Sequence, residues 1–407
     1  MQDTEIRAAG RLAGDALGGA GAIVGDVQRA VSSRVFTTLG GVATPVRLMH
    51  DGIAGLVNGS VKTGMRLVPA GGTRALAVLA PPQAQPLAGT RAGSLALAAI
   101  NGAWGDTMAR RYRPLSLGLS LRSGGQDLPE DPDALDAALP GATGRVVVFV
   151  HGLGETDAGW GLGGRPTYGQ RLRDAHGYTP VYVRYNTGRH ISENGRDLAA
   201  ALEAMVERWP VRVTDIALIG HSMGGLVSRS ACHYGEAAEH TWTEATRHVF
   251  SLGTPHLGAP LERAAAAGAS LLLRLPETAP LARLLTVRSA GIKDLRHGAC
   301  LDEDWLDFEV DAFLDDRCNE FPFLACATYC FIGATVTADK DSRLARIVGD
   351  LLVQYPSASG DGPKRRLAFE IENGLHLGGM NHIQLLNHPK VYDQIEKWLL
   401  RRPALTA

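Results

Sequence analysis

The sequence predicts an α/β fold in which a mostly parallel central sheet is flanked by helices. From Arg145 onward, short β-branched apolar runs alternate with helical patterns, and the runs are nearly continuous in apolar residues. A strand of that kind is buried on both faces, which is typical of a parallel sheet covered by helices. The chain has 407 residues, enough for one large α/β domain and an additional segment.

Six strands are predicted in this region. They are RVVVFV (145–150), PVYVRY (180–185), DIALIG (215–220), RHVFSLG (247–253), TYCFIGATV (328–336) and RLAFEI (366–371). Helices are predicted at about 192–208, directly after Ser222, and at about 389–401. The α/β domain is therefore expected to span 145–401.

The alternation stops between residues 254 and 327. This stretch contains an Ala- and Leu-rich helical pattern and then the acidic, aromatic DEDWLDFEVDAFLDD. We predict a helical cap at about 259–325, inserted over the carboxyl edge of the sheet. The leucines Leu271 to Leu273, Leu275 and Leu281 either line a pocket or form the cap's own core.

The amino-terminal third has a different composition. Residues 1–113 are rich in Ala, Gly and Arg and place apolar residues at helical spacing, which predicts a segment of small-residue helices. Examples are Val24, Val27, Val31 and Val35, followed by Leu48, Ile53, Leu56 and Val57. Residues 114–144 contain a Gly-, Pro- and Asp-rich stretch and are predicted to be a linker or entry region.

The composition argues against several classes of protein. With 41 basic and 42 acidic residues, the chain lacks the positive charge expected of a nucleic-acid binder. The first residues lack the charged and apolar regions of a secretory signal, and no window is apolar enough to span a membrane, so we expect a cytoplasmic protein. The five cysteines follow no metal-ligand spacing; buried thiols are expected, with one or two disulfides as the alternative. No metal or cofactor is expected.

The segment LIGHSMGG (218–225) contains a G-x-S-x-G string. Alone the string is a weak signal, but here it follows a predicted strand and precedes a helical pattern, which is the context of a nucleophile elbow. Gly220 and Gly224 lack the side chains that would collide where the strand meets the helix. Ser222 is therefore the predicted nucleophile, and its activation requires a histidine base and an orienting carboxylate.

An acyl-transfer site also needs two backbone N–H groups for the developing oxyanion. Met223, the residue after the nucleophile, supplies the first. The run HGLG (151–154) follows the first strand of the α/β domain directly and can expose the amide of Leu153. His151 is expected to order this loop rather than to act as the base.

Three motifs in order, FVHGLG (149–154), GHSMGGLVSR (220–229) and GTPHLGAP (253–260), resemble the lipase and esterase branch of the α/β-hydrolase superfamily, including PGAP1-like sequences. The resemblance covers about 145–401. It implies that the acid follows a late strand and that the histidine lies near the end of the chain.

This order assigns the remaining catalytic residues. Asp350, in a segment similar to the one that carries the family's acid, is the first choice, with Asp339 and Asp341 as alternatives. His382 resembles the family's catalytic histidine, and His376 is held in reserve. His388 is expected at a helix entrance. His256 is expected to form a hydrogen bond near the floor of the site.

The resemblance implies a carboxylic-ester hydrolase that acts through an acyl-enzyme on apolar acyl esters, with polyesters as a candidate substrate. Thioester hydrolysis, lactone opening and acyl transfer on the same triad stay open. A further alternative is a membrane-peripheral lipid hydrolase in which residues 1–113 dock on a bilayer or a protein partner.

Overall fold

The computed structural model describes residues 1–17, 85–259, 289–306, 318–339, 342, 348–363 and 365–401. The chain divides into two compact units. One comprises Met1–Leu117 with Ala264–Ser289, and the other comprises Gly118–Arg263 with Ala290–Ala407.

The first unit contains helices α1 (Asp3–Leu17) and α2 (Arg91–Arg111). The side chain of Thr90 caps α2 by accepting a hydrogen bond from the amide of Gly93 at 3.1 Å. The buried Asn101 joins this helix to the next turn, because its side chain bonds to the carbonyl of Leu115 and the amide of Leu117. The apolar residues at 24–35 and 48–57, on which the prediction of further helices rests, lie outside the described residues.

The second unit is built on an eight-stranded sheet with the order β2-β1-β4-β3-β5-β6-β7-β8. From β3 onward the strands are parallel, whereas β1 is antiparallel to both β2 and β4. The strands are β1 (Ser120–Ser123), β2 (Gln126–Asp127), β3 (Arg145–Val150), β4 (Thr179–Arg184), β5 (Asp215–His221), β6 (Thr246–Leu252), β7 (Thr328–Thr335) and β8 (Gly374–Gly378). The predicted α/β class with a mostly parallel sheet is confirmed.

Helices lie between these strands and after β8. They are α3 (Pro132–Ala138), α4 (Tyr168–His176), α5 (Ile191–Arg208), α6 (Met223–Ala237), α7 (Thr241–Ala245), α8 (Ala290–Leu295), α9 (Tyr355–Ala358) and α10 (Pro389–Leu399). Short 3₁₀ segments at Asp157–Gly164 and His382–Leu386 lie near the ends of strands.

The sheet separates two apolar clusters, which explains why its central strands are apolar throughout. Val146, Val148 and Val150 of β3 belong to the cluster that includes α5 and α6, with residues such as Leu202. Val147 and Phe149 belong to the cluster that includes Leu172 of α4 and Trp398 of α10. Because both faces of the strand are buried, each residue of VVVFV removes apolar surface from water.

The sheet includes more of the chain than the strands from residue 145 onward. The hairpin of β1 and β2, and helix α3, all lie within 114–144, and Leu121 of β1 pairs with Val183 of β4. Of the predicted cap, 289–306 and 318–325 are described and contain α8, whereas its leucines at 271–281 lie outside the described residues.

The strand predicted at 366–371 is wrong. Arg366 takes part in an isolated β-bridge with Asp361 instead of a strand, and the last strand of the described residues is β8, three residues farther along. The alternating pattern has another cause: Phe369 packs against Phe331 at a ring distance of 5.1 Å, whereas Ile371 is 97% exposed in a 3₁₀ turn. Side-chain packing on one face of the sheet thus accompanies a strand-like alternation without a ladder of hydrogen bonds.

All five cysteines are described, and each is a free thiol. Cys232, Cys300 and Cys330 are buried as expected, whereas Cys318 is half-buried and Cys326 is exposed. Within the described ranges, no helix has the length and apolar character needed to cross a membrane.

Candidate active site

Ser222 lies in the turn between β5 and α6. Its φ of 53° and ψ of −122° fall in a region that non-glycine residues rarely adopt. Such a conformation costs about 1–3 kcal/mol and persists only where the surrounding structure enforces it. Here the amide of Ser222 donates to the carbonyl of Leu252 at the end of β6, at 2.9 Å. The turn therefore holds the serine at the carboxyl edge of the sheet.

Close contacts around Ser222 leave no room for side chains at Gly220, Gly224 and Gly225. A Cβ atom on Gly220 would lie 2.5 Å from Gly225 Cα, and one on Gly224 would lie 2.1 Å from the carbonyl oxygen of Val150. A Cβ on Gly225 would meet Thr254 Oγ1 at 2.0 Å. Glycine at these positions allows α6 to begin directly against β3 and β5.

The loop after β3 lies beside this turn, since a Cβ on Gly152 would be only 3.0 Å from Ser222 Cβ. In the loop, the amide of Gly152 donates to Glu155 Oε2 at 2.8 Å and the amide of Gly154 donates to Thr187 Oγ1 at 3.1 Å. Among the described residues, the backbone amides of Leu153 and Met223 donate no hydrogen bond. Two amides near the serine are thus available to an oxyanion.

His151 orders the start of the same loop. Its ring is buried, stacks on Tyr185 at 4.6 Å between ring centroids, and places Nδ1 2.9 Å from the carbonyl of Gly152. Its own carbonyl accepts a hydrogen bond from the Tyr185 hydroxyl at 2.6 Å. Burial lowers the pKa of His151, which favours a neutral ring whose Nδ1–H donates to Gly152.

Asp350 and His382 are in direct contact at the carboxyl edge. Asp350 Oδ2 lies 2.7 Å from His382 Nδ1, and both side chains are almost completely buried. Asp350 Oδ1 accepts the amides of Leu352 and Val353 at 3.0 and 2.8 Å. The amide of His382 donates to the carbonyl of Asp350 at 2.9 Å. Because backbone bonds fix both residues, the carboxylate holds the imidazole in one orientation.

The electrostatics of His382 favour its charged form. Burial opposes the imidazolium, but the charge and hydrogen bond of Asp350, together with the charge of Glu155, raise the pKa of His382 above 6.5. Its Nε2 is buried and, among the described residues, without a hydrogen-bond partner. Among the described residues, His382 Nε2 forms no hydrogen bond with Ser222 Oγ. Such contacts often shorten only when substrate binds.

The alternative acid and base lie elsewhere. Asp339 is exposed in the segment that follows β7, and its carbonyl accepts a bond from Thr337 Oγ1 at 2.9 Å. Asp341 lies outside the described residues. His376 lies on β8, where its Nε2 is 2.8 Å from Thr335 Oγ1. The structure therefore brings Asp350 together with His382 and not with the reserve histidine.

Two further histidines occupy structural positions. His388 caps α10 by accepting the amide of Lys390 at 3.2 Å. His256 is buried, and its Nδ1 lies 3.4 Å from the Arg229 guanidinium while its carbonyl accepts from Arg365 at 2.6 Å. Burial, followed by the charges of these two arginines, holds the pKa of His256 well below its usual value.

Sequence reasoning missed Glu155 and His221. The Glu155 carboxylate lies 3.1 Å from His221 Nδ1, and His221 Nε2 lies 3.1 Å from the carbonyl oxygen of His382. Burial alone would raise the pKa of Glu155, but the charge and hydrogen bond of His221 and the amide of Gly152 lower it to about 2. The signal was an acidic residue directly after HGLG combined with a histidine directly before the elbow serine.

Within the described residues, no group of three His, Cys, Asp or Glu side chains could hold a metal ion.

The sheet, the helices on both of its faces and the strand–turn–helix at Ser222 define the class as the α/β-hydrolase fold. Residues 141–306 match the family model of the PGAP1-like alpha/beta domain. This match confirms the resemblance inferred from the three sequence motifs. None of the curated proteins matches the chain at a significant level.

Several solved structures are similar to this chain. The mature lipase BlEst2 of Bacillus licheniformis is 19% identical, with 65% of this chain and 94% of the lipase covered and a TM-score of 0.40. A lipase-esterase related protein of Clostridium acetobutylicum is 15% identical, with 63% and 94% covered and a TM-score of 0.35. The phospholipase PlaB of Legionella pneumophila is 15% identical, with 59% and 53% covered and a TM-score of 0.36.

Gly224→Ala tests the close approach of α6 to β3. Alanine is normally the better helix former by about 1 kcal/mol. Here the added Cβ would meet the backbone oxygens of Val150 and His151 at 2.1 and 2.6 Å, and neither atom can move independently. We expect the free energy of unfolding, measured in urea, to fall by about 1–3 kcal/mol.

Gly118→Ala is the matched control, because a Cβ at Gly118 would have no atom within 4 Å. The predicted contact would be refuted by equal unfolding free energies for the two variants.

Proposed function

We propose that this protein is a serine carboxylic-ester hydrolase in which Ser222, Asp350 and His382 form the catalytic triad. The observation that carries the proposal is the buried 2.7 Å contact between Asp350 and His382 at the same sheet edge as the strained turn of Ser222. A carboxylate that fixes a histidine beside an elbow serine is the arrangement that activates a hydroxyl nucleophile. The PGAP1-like match over 141–306 supports the assignment.

The proposed reaction has two halves. In the first, Ser222 Oγ attacks the ester carbonyl and transfers its proton to His382 Nε2, while the C–O bond to the alcohol breaks and His382 returns the proton to the leaving alcohol. In the second, water attacks the acyl-enzyme with His382 as base, and the carboxylic acid leaves as Ser222 recovers its proton. Asp350 stabilises the imidazolium in both halves, and the amides of Leu153 and Met223 stabilise the oxyanion.

Apolar acyl esters are the proposed substrates, with polyesters as one candidate, because the inserted segment at 259–325 is rich in leucine. The leucines at 271–281 lie outside the described residues, so the substrate class rests on the sequence. A panel of p-nitrophenyl esters of increasing chain length, with a thioester, a lactone and an emulsified polyester, separates esterase, lipase and the other reactions of the same triad. Co-sedimentation of the full chain with liposomes tests peripheral membrane binding through residues 1–113, and the absence of binding at low salt would contradict it.

Ser222→Ala removes the nucleophile. We expect p-nitrophenyl ester hydrolysis to fall by about 10³-fold or more, because only binding and the oxyanion amides would remain. Hydrolysis is followed by absorbance, and the fold is checked by circular dichroism. The control is Ser359→Ala, because the Ser359 hydroxyl donates to the nearby carbonyl of Pro356 at 3.2 Å. Full activity in the folded Ser222→Ala variant would rule out the proposed function.

Asp350→Asn tests the assignment of the acid. The Asn oxygen would take over the amides of Leu352 and Val353, which places the NH₂ group opposite His382 Nδ1 and forces the proton onto Nε2. Because that tautomer cannot accept a proton from Ser222, we expect kcat to fall by about 10⁴-fold. The exposed Asp339 is the control, and Asp339→Asn should keep kcat within about twofold. A large loss of kcat in Asp339→Asn, with little change in Asp350→Asn, would assign the role of the catalytic acid to Asp339.

The pH dependence follows from the raised pKa of His382. Only the neutral imidazole accepts the serine proton, so kcat/KM should fall on the acid side with a midpoint above 6.5. In Asp350→Asn the residual activity should have its acid midpoint at lower pH, because the charge that raises the pKa is gone. The profile is measured at constant ionic strength. A wild-type midpoint below 6.5 would contradict the proposed role of His382 as the base.

A further inference from the structure

The ring of His221, the residue before Ser222, is fully buried and meets an acceptor at each nitrogen. Its Nδ1 lies 3.1 Å from the Glu155 carboxylate, and its Nε2 lies 3.1 Å from the backbone carbonyl oxygen of His382. A carbonyl oxygen and an ionised carboxylate can only accept, whereas a neutral imidazole has a single N–H. Both hydrogen bonds exist together only if His221 donates from both nitrogens as an imidazolium.

Glu155 has the surroundings of an ionised partner. Its side chain is 17% exposed, and its carboxylate accepts the amide of Gly152 at 2.8 Å in addition to His221. Each of these donors favours the carboxylate over the carboxylic acid. The other titratable groups around the pair are His151, Asp157, Tyr185 and His382.

The pair contacts three parts of the proposed site at once. Through Gly152 it holds the loop that presents the Leu153 amide, and through His221 it adjoins the nucleophile turn. Through the carbonyl of His382 it holds the loop that carries the base. These three segments follow β3, β5 and β8, so that the pair joins positions far apart in the sequence.

We propose that Glu155 and His221 form a buried carboxylate–imidazolium pair that positions the Leu153 amide and the ring of His382 for catalysis. Both are positioning residues, since neither needs to touch the reacting atoms. The inference rests on the proposed ester hydrolysis, because it concerns the alignment of that machinery. A merely structural pair would affect stability and leave the turnover of each folded molecule unchanged.

Kinetics of the full chain separate the two roles. In Glu155→Ala the bond to the Gly152 amide and the partner of His221 are lost, so we expect kcat to fall by about 10²–10³-fold with KM changed by less than about threefold. In Glu155→Gln the amide oxygen can accept from Gly152, and the NH₂ group can donate to Nδ1 of a neutral His221, which leaves Nε2–H for His382. We therefore expect Glu155→Gln to restore kcat to within about tenfold of the wild type.

The matched control is Glu203→Ala. Glu203 also accepts a backbone amide, that of Trp242 at 3.2 Å, together with the Thr241 hydroxyl at 3.0 Å. This variant should lower stability and leave kcat unchanged. A folded Glu155→Ala enzyme with wild-type kcat, or a Glu155→Gln enzyme as slow as Glu155→Ala, would overturn the positioning role.

A spectroscopic measurement tests the pair without any substrate. In protein labelled with ¹⁵N-histidine, the ring signals of His221 are identified by their loss in His221→Gln. At pH 7 we expect both ring nitrogens of His221 to be protonated in the wild type and only one in Glu155→Gln. A neutral His221 in the wild type would overturn the inference. If the imidazolium is present but no ester is hydrolysed, the proposed function fails and the positioning role fails with it, whereas the charged pair itself stands.

Discussion

Gly224 lies against the end of β3, where any side chain would be 2.1 Å from the carbonyl oxygen of Val150. This approach sets the position of α6 relative to the sheet, and therefore the place where β5 must turn at Ser222. It also places the loop after β3 beside the serine, with Gly152 close to Ser222 Cβ. The positions of Ser222 and of the loop that contains Leu153 thus depend on one backbone contact that only glycine permits.

Two carboxylate–imidazole pairs lie around this turn, and their environments differ. Asp350 is fully buried and accepts hydrogen bonds from His382 and from two backbone amides. Among the described residues, His382 Nε2 is left without a partner. Glu155 receives His221 and the amide of Gly152, and His221 uses both of its nitrogens. The free nitrogen suits the first pair to proton transfer, and the fully used ring suits the second pair to holding a loop.

Much of the α/β domain could be predicted because its signals are local. Five of the six predicted strands correspond to β3 to β7, and the strand starting at Arg145 has the predicted bounds. The prediction failed at 366–371, where Phe369 packs on one face of the sheet without belonging to a strand. The sequence also did not predict strands β1 and β2, because Ser120–Ser123 carries only one buried residue. Short, half-exposed edge strands have too little apolar periodicity to be recognised.

The sequence by itself determined the parallel-sheet class and the turn at Ser222, and it predicted that the proposed acid Asp350 and the proposed base His382 follow Ser222 in that order. These features depend on apolar runs, on glycine spacing and on motif order, all of which are written along the chain. Only the tertiary structure decided that His382 meets Asp350 while Asp339 stays exposed, since that contact depends on how two loops return to the sheet edge. For the same reason it alone revealed Glu155 and His221, 66 residues apart in the chain but in hydrogen-bond contact. Hydrogen bonds between distant residues leave no periodic signal in the sequence.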